Sequence, residues 1–135
     1  PLMSGQDPAL KIKNGEDLNK CAVFINSYWD MIKDVYPEAF ETPKDYAIQK
    51  TVAVYPLHLA LQKEISRTGD LNRAINSMRG HLEYGVNSNS FDLVFWRTAR
   101  NVSSERKQRG RYIGAYSSAA GHREVAHAII LRGKL

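Results

Sequence analysis

The chain has 135 residues, enough for one domain with its own core and short for two. Apolar residues make up 43% and charged residues 24%, which excludes a disordered or fibrous chain on composition. The formal net charge is +5, and the single cysteine, Cys21, excludes an internal disulfide framework.

No apolar run reaches bilayer-spanning length, and no charged-then-apolar secretory leader is visible. A cytoplasmic protein without membrane contact is therefore expected. Residues 1–14, with two prolines and a glycine among the first ten, are expected to be a lead-in or linker. The start Pro1-Leu2-Met3 suggests a piece of a longer protein, with residues 15–135 as its single helical domain.

Asn14-Gly15-Glu16-Asp17 supplies a helix start, with Asn14 as cap and two acids in the first turn. Leu18, Cys21, Ala22, Ile25, Tyr28, Trp29, Ile32, Val35 and Tyr36 follow at helical spacing, and Pro37 ends the helix. Tyr28 and Trp29 are its expected core anchors, and Cys21 an inert core thiol. Glu38-Ala39-Phe40 reads as a turn. Thr42-Pro43 reads as a cap and first helical position. Pro56 interrupts the next apolar run, predicting a short helix near 44–50 and a second from about 53 to 67. His58 lies there among apolar neighbours, as a satisfied core histidine would. Gly69 closes that helix and Asp70 caps the next, predicted from Leu71 to about Tyr84, with 85–90 as a loop.

Phe91-Asp92-Leu93-Val94-Phe95-Trp96 predicts a short helix capped by Ser90. Residues 99–116 read as irregular. Ser117 or Ser118 then caps a last helix reaching Gly133, with Val125, Ala126, Ile129 and Ile130 inward. The predicted fold is mainly α, a compact bundle of four or five helices with at most a minor strand element.

The charge is uneven. Residues 1–90 carry a net charge of −1, whereas residues 91–135 carry +6. Arg97, Arg100, Arg106, Lys107, Arg109 and Arg111 lead to Ser117, Ser118, His122 and Arg123 at a helix start. Cations contact phosphates, a helix N-terminus favours anions, and Tyr112 and Tyr116 can stack on bases. These ten residues are the predicted nucleic-acid or anion-binding surface. Ordinary capping and a solvated basic loop would account for the same residues without a ligand.

Other chemistries find less support. His122 and His127 are five apart and on different helix faces, and no zinc spacing, Walker loop or dinucleotide fingerprint occurs. Ser117 and Ser118 near His122 invite a hydrolase reading but lack the GxSxG elbow. No metal, cofactor or catalytic residue is assigned, and a non-enzymatic module is expected.

The segments NSYWDMIKDVYPEAF, YAIQKTVAVYPLHLAL, FDLVFW and GAYSSAAGHREVAHAI resemble the C-terminal helical region of DGQHR-domain proteins. These are bacterial proteins associated with mobile elements and DNA-modification loci. The similarity covers about residues 15–132; the DGQHR signature itself belongs to a preceding core and is absent here. It implies a helical module of a DNA-associated protein, and it assigns no catalytic residue. The helix ending in YPEAF, the proline-interrupted helix and the basic tail also resemble RNA chaperones of the ProQ/FinO group. That group's arginine-tyrosine-rich segment is missing. The expected partner is thus nucleic acid, DNA ahead of RNA, or an acidic protein surface. A purely structural or homo-oligomerisation domain, with Tyr28, Trp29 and Trp96 partly in an interface, is the remaining alternative.

Overall fold

The structure, a computed structural model, describes residues 15–135. The lead-in assigned to 1–14, with Asn14 as a cap, lies outside the described residues. Six α-helices follow in order: α1 (Gly15–Val35), α2 (Pro37–Glu41), α3 (Thr51–Thr68), α4 (Leu71–Asn87), α5 (Ser104–Gln108) and α6 (Ala119–Leu131). α1, α3, α4 and α6 form a compact bundle, as the apolar spacing predicts. Among the described residues, strand pairing is limited to one antiparallel bridge, Tyr46–Arg97. No described helix is long and apolar enough to cross a membrane.

The buried stripe of α1 is Cys21, Phe24, Tyr28, Met31 and Ile32. It is rotated slightly from the predicted one: Leu18 and Ala22 face solvent, and Trp29 is half-buried. Tyr28 is fully buried and donates its hydroxyl to the Leu57 carbonyl on α3 at 2.7 Å. Pro37 ends α1 and opens α2, so the expected turn at 38–40 is a short helix with proline in its first turn. The predicted helix near 44–50 is instead a 3₁₀ turn at Pro43–Asp45 followed by the Tyr46 bridge.

α3 starts at Thr51 and runs through Pro56. Interior proline costs a helix about 3 kcal/mol, yet the Pro56 ring is buried in the bundle, and packing outweighs that local penalty. α3 and α4 join in the predicted way. Gly69 adopts the left-handed conformation (φ 68°), and Asp70 accepts from the Arg73 amide at 2.9 Å. Asp70→Ala is expected to lower stability by about 1 kcal/mol, read from urea midpoints, and Asp70→Asn by much less.

α4 continues to Asn87, beyond the predicted end near Tyr84. Composition suggests a loop at Gly85, but tertiary packing decides otherwise. The Phe91 ring lies 2.7 Å from where a Cβ would sit on Gly85. The amides of Ser90 and Phe91 both donate to the Gly85 carbonyl. Residues 91–96 are not a helix. The Asp92 carboxylate accepts from the Phe95 amide at 3.0 Å, a local turn that competes with helical bonding. Phe95 packs edge-on against both Phe91 and Trp96, and Trp96 edge-on against Tyr36. The Phe91 carbonyl accepts from both the Tyr36 hydroxyl and the Trp96 indole. Ser90 caps nothing there; its hydroxyl pairs with that of Ser88. Trp96, like Tyr28, is fully buried, so neither residue is placed at a surface where another copy could meet it.

A polar cluster joins α3 to α4. The Glu64 carboxylate, with its side chain 2% exposed, accepts from Arg67 Nε at 2.9 Å, Ser77 Oγ at 2.9 Å and His81 Nε2 at 3.2 Å. Burial pushes its proton affinity up, but these hydrogen bonds and the Arg67 charge outweigh it and hold the carboxyl below its ordinary value. Between α1 and α3, Trp29 Nε1 donates to His58 Nε2 at 3.0 Å, and burial lowers His58 below the ordinary histidine value.

Both groups bind protons more readily in the unfolded chain, so both destabilise the fold in acid. The His58 contribution is complete above about pH 6.5 and is lost as pH falls below it. The Glu64 contribution is complete above the carboxylate range and is lost only as pH falls through its lowered value. Urea midpoints are expected to decline in these two steps, the first beginning near pH 6.5 and the second only near the ordinary carboxylate value of about 4.5 and running below it. His58→Phe should remove the upper step; its persistence would assign that step to another group.

Candidate nucleic-acid interface

The basic segment is held in place by its neighbours rather than by regular structure of its own. The aromatic segment pins it at both ends: the Ala47 amide donates to the Trp96 carbonyl at 2.6 Å, and the Ile113 amide to the Phe95 carbonyl at 2.7 Å. Residues 99–116, expected to be irregular, contain the 3₁₀ turns Ala99–Asn101 and Ile113–Tyr116 and the five-residue α5. Ser103 caps α5 by accepting from the Arg106 amide at 3.4 Å.

Tyr116 connects the basic turn to α6. Its hydroxyl lies 3.4 Å from the position of a Cβ on Gly110, and its backbone carbonyl 2.6 Å from that position on Gly121. Of the two predicted caps, Ser118 is the one used: it accepts from the Gly121 amide at 3.0 Å, and α6 starts at Ala119. Ser117 is exposed just before it. α6 ends at Leu131, with Val125, Ala126 and Ile129 buried and Ile130 half-buried.

The ten predicted contact residues divide into two sets. Three contact neighbouring segments, although the Arg100 side chain stays 67% exposed. The Arg97 guanidinium lies over the Tyr46 ring at 5.5 Å. Arg100 reaches the Lys44 carbonyl and stands 3.9 Å from Asp45. Arg111 binds the Asn89 carbonyl and stands 3.9 Å from Asp92.

The other seven flank Tyr116 in sequence, on the turn before it and the helix after it. Arg106, Lys107 and Arg109 lie on α5 and at its end, and Ser117, Ser118, His122 and Arg123 at the start of α6. Arg109 pairs with Glu105 at 2.7 Å, both exposed, a contact worth little in water. Among the described residues, Arg106, Lys107 and Arg123 make no ion pair. Burial and then the Glu124 carboxylate raise the Tyr116 phenol, so one acid sits at the edge of this basic face.

Sequence reasoning missed Tyr55. This α3 residue is 51% exposed, and its ring lies parallel to that of His122 at 5.5 Å. The His122 Nε2 atom is buried with no hydrogen-bond partner among the described residues. The one available signal was a tyrosine inside an apolar helix, which by pattern alone reads as core. Together the two rings form an exposed aromatic shelf beside Arg123. Among the described residues, an open groove of about 410 Å³ lies elsewhere, between α1 and α4, lined by apolar Val23, Phe24, Leu71 and Ile75 and also by Lys20 and asparagines.

Comparison with protein-family models, curated proteins and solved structures finds no match for the chain.

Proposed function

We propose that this chain is a non-enzymatic nucleic-acid-contact module of a DGQHR-like bacterial DNA-associated protein. The observation that carries the reading is the double contact of Tyr116, whose hydroxyl meets Gly110 at the end of the basic turn and whose backbone meets Gly121 at the start of α6, with Arg109 preceding the one and Arg123 following the other in sequence. Arg106, Lys107 and Arg123 make no ion pair among the described residues and lose nothing by turning to phosphates, and the helix N-terminus favours the same negative ligand. The Tyr55 ring supplies a face for an unpaired base, with His122 beneath it. Arg97, Arg100 and Arg111 serve the fold and shape the surface rather than touch the ligand.

Fluorescence anisotropy with labelled single-stranded and duplex DNA, and with RNA hairpins, tests this. Binding is expected at low salt and to weaken as salt rises. Three or four phosphate contacts give a slope of about −3 in log affinity against log salt. The triple variant Lys107→Ala/Arg109→Ala/Arg123→Ala is expected to weaken binding at least tenfold, and Arg100→Ala to leave it within about twofold. Absence of binding at low salt, or a triple variant that binds as the parent does, overturns the reading. Preference for RNA hairpins would move the chain toward the ProQ/FinO-like alternative.

A further inference from the structure

The cluster around Glu64 extends to the residue that follows α6. Arg132 Nε lies 3.0 Å from His81 Nδ1. A guanidinium only donates, so Nδ1 must accept, and the ring proton sits on Nε2. That proton points at Glu64 Oε1, 3.2 Å away. Ser77 Oγ, 3.4 Å from the same Nε2, gives its own proton to Glu64 Oε2 at 2.9 Å. The set of serine, histidine and carboxylate is therefore not a catalytic triad. Serine and carboxylate share one ring nitrogen, and an arginine occupies the other.

Arg132 is the left-handed C-cap of α6 (φ 53°), where its amide donates to the Ile129 carbonyl at 3.2 Å and the Gly133 amide to the Ala128 carbonyl at 2.9 Å, and its guanidinium lies over the Tyr84 ring at 5.4 Å. One of its nitrogens lies 3.2 Å from where a Cβ would sit on Gly80, so the small residue leaves the slot the guanidinium fills. His81 itself is nearly buried, its side chain 11% exposed.

We propose that His81 and Arg132 form a proton-operated latch that fastens the segment Arg132–Leu135 to α4. A second proton on His81 can bind only at Nδ1. Two donors would then face each other across 3.0 Å, and imidazolium would stand beside guanidinium. The groups around the ring decide which partner leaves. Glu64, from α3, holds the imidazolium in place. Arg67, also from α3, already neutralises Glu64 and adds a further positive charge nearby. On α4, Ser77 is uncharged and Tyr84 offers only its ring face. Arg132 is exposed and, unlike Arg67, makes no ion pair with a carboxylate among the described residues, so it is the member that swings into water. Leu135, half-buried against the core, loses its tether with it.

The test uses the whole chain labelled with ¹⁵N, followed by NMR from pH 8 to pH 5. At pH 8 the His81 ring is expected as the Nε2–H tautomer, with the Arg132 Nε–H exchanging at least tenfold more slowly than that of exposed Arg123. As His81 takes its second proton, that protection should vanish. Amide exchange over residues 132–135, corrected for intrinsic rates, should rise at least tenfold with the same midpoint. His81→Gln keeps an acceptor for Arg132 and a donor for Glu64 without titrating, so the step should disappear. Arg132→Ala should leave the segment undocked at every pH. The latch is overturned by a Nδ1–H tautomer at pH 8, or by His81 failing to titrate while the fold persists. It is equally overturned by titration that leaves 132–135 unchanged, or by a step that survives in His81→Gln. Because the midpoints are compared within the parent protein, the test holds even if a variant fails to fold.

Discussion

Gly121→Ala is expected to destabilise the protein by about 2–4 kcal/mol and to displace the start of α6. An added Cβ would lie 2.6 Å from the Tyr116 carbonyl oxygen and 2.7 Å from its carbonyl carbon and Cα. Those are backbone atoms, so no side chain can turn aside to make room. Tyr116 is fixed in turn by the Ile113–Tyr116 turn, whose first amide bonds the Phe95 carbonyl. The clash must therefore be relieved by moving α6 away from that turn. Thermal unfolding should show the loss, with a midpoint lower by several degrees, as is typical per kcal/mol in a domain of this size. Gly15→Ala is the control, because a Cβ there meets nothing within 4 Å. Equal midpoints for the two variants would refute this account of Gly121. If the proposed interface is correct, Gly121→Ala should also weaken nucleic-acid binding while removing no charge.

Trp96→Ala should cost about 3–5 kcal/mol, the range for deleting a buried tryptophan. Its indole is fully buried and meets Tyr36, Phe91 and Phe95 with ring centres 5.0–6.2 Å apart. The cost has two parts: lost apolar burial, and the cavity that three rigid rings cannot collapse to fill. The lost indole hydrogen bond matters less, since the Phe91 carbonyl keeps the Tyr36 hydroxyl at 2.8 Å. Tyr36→Phe should therefore be mild, about 1 kcal/mol, because the indole still satisfies that carbonyl. Chemical denaturation of the two variants gives the comparison. A Tyr36→Phe loss as large as that of Trp96→Ala would show that the hydrogen bond, not the packing, dominates.

Much of the bundle was legible in the chain. Helical spacing identified α1, α4 and α6, and Gly69-Asp70 marked the α3–α4 corner. These signals are local, and the physics behind them is local too. The failures occurred where distant residues decide. Gly85 looks like a loop residue until Phe91 is packed on it. Residues 91–96 contain apolar residues without a readable period, and the Asp92 side chain diverts their hydrogen bonds. Pro56 looks like a helix boundary until its ring is buried. Glu64 follows Gln62 and Lys63 and reads as surface, though it falls three and four residues beyond Leu61 and Ala60 on the buried stripe of α3. That spacing was the signal that could have exposed it. At the candidate interface, the composition pointed to the last third of the chain. It could not show that Arg97 and Arg111 are engaged by distant segments, or that Tyr55 would lie over His122, because both depend on elements far apart in sequence.

The aromatic segment has a kinetic consequence. Its bonds close long loops: Tyr36 meets Phe91 across 55 positions, and Tyr46 pairs with Arg97. Contacts of such separation carry a loop-closure cost that nearby helix pairs avoid, so they tend to form late. Helical signal from α1, α3 and α4 is therefore expected to recover first in refolding, with the Trp96 environment and the ordered basic turn following. A chain halted between those stages would show nearly full helicity while its basic turn was still unassembled, so circular dichroism alone is a poor guide to whether this surface has formed.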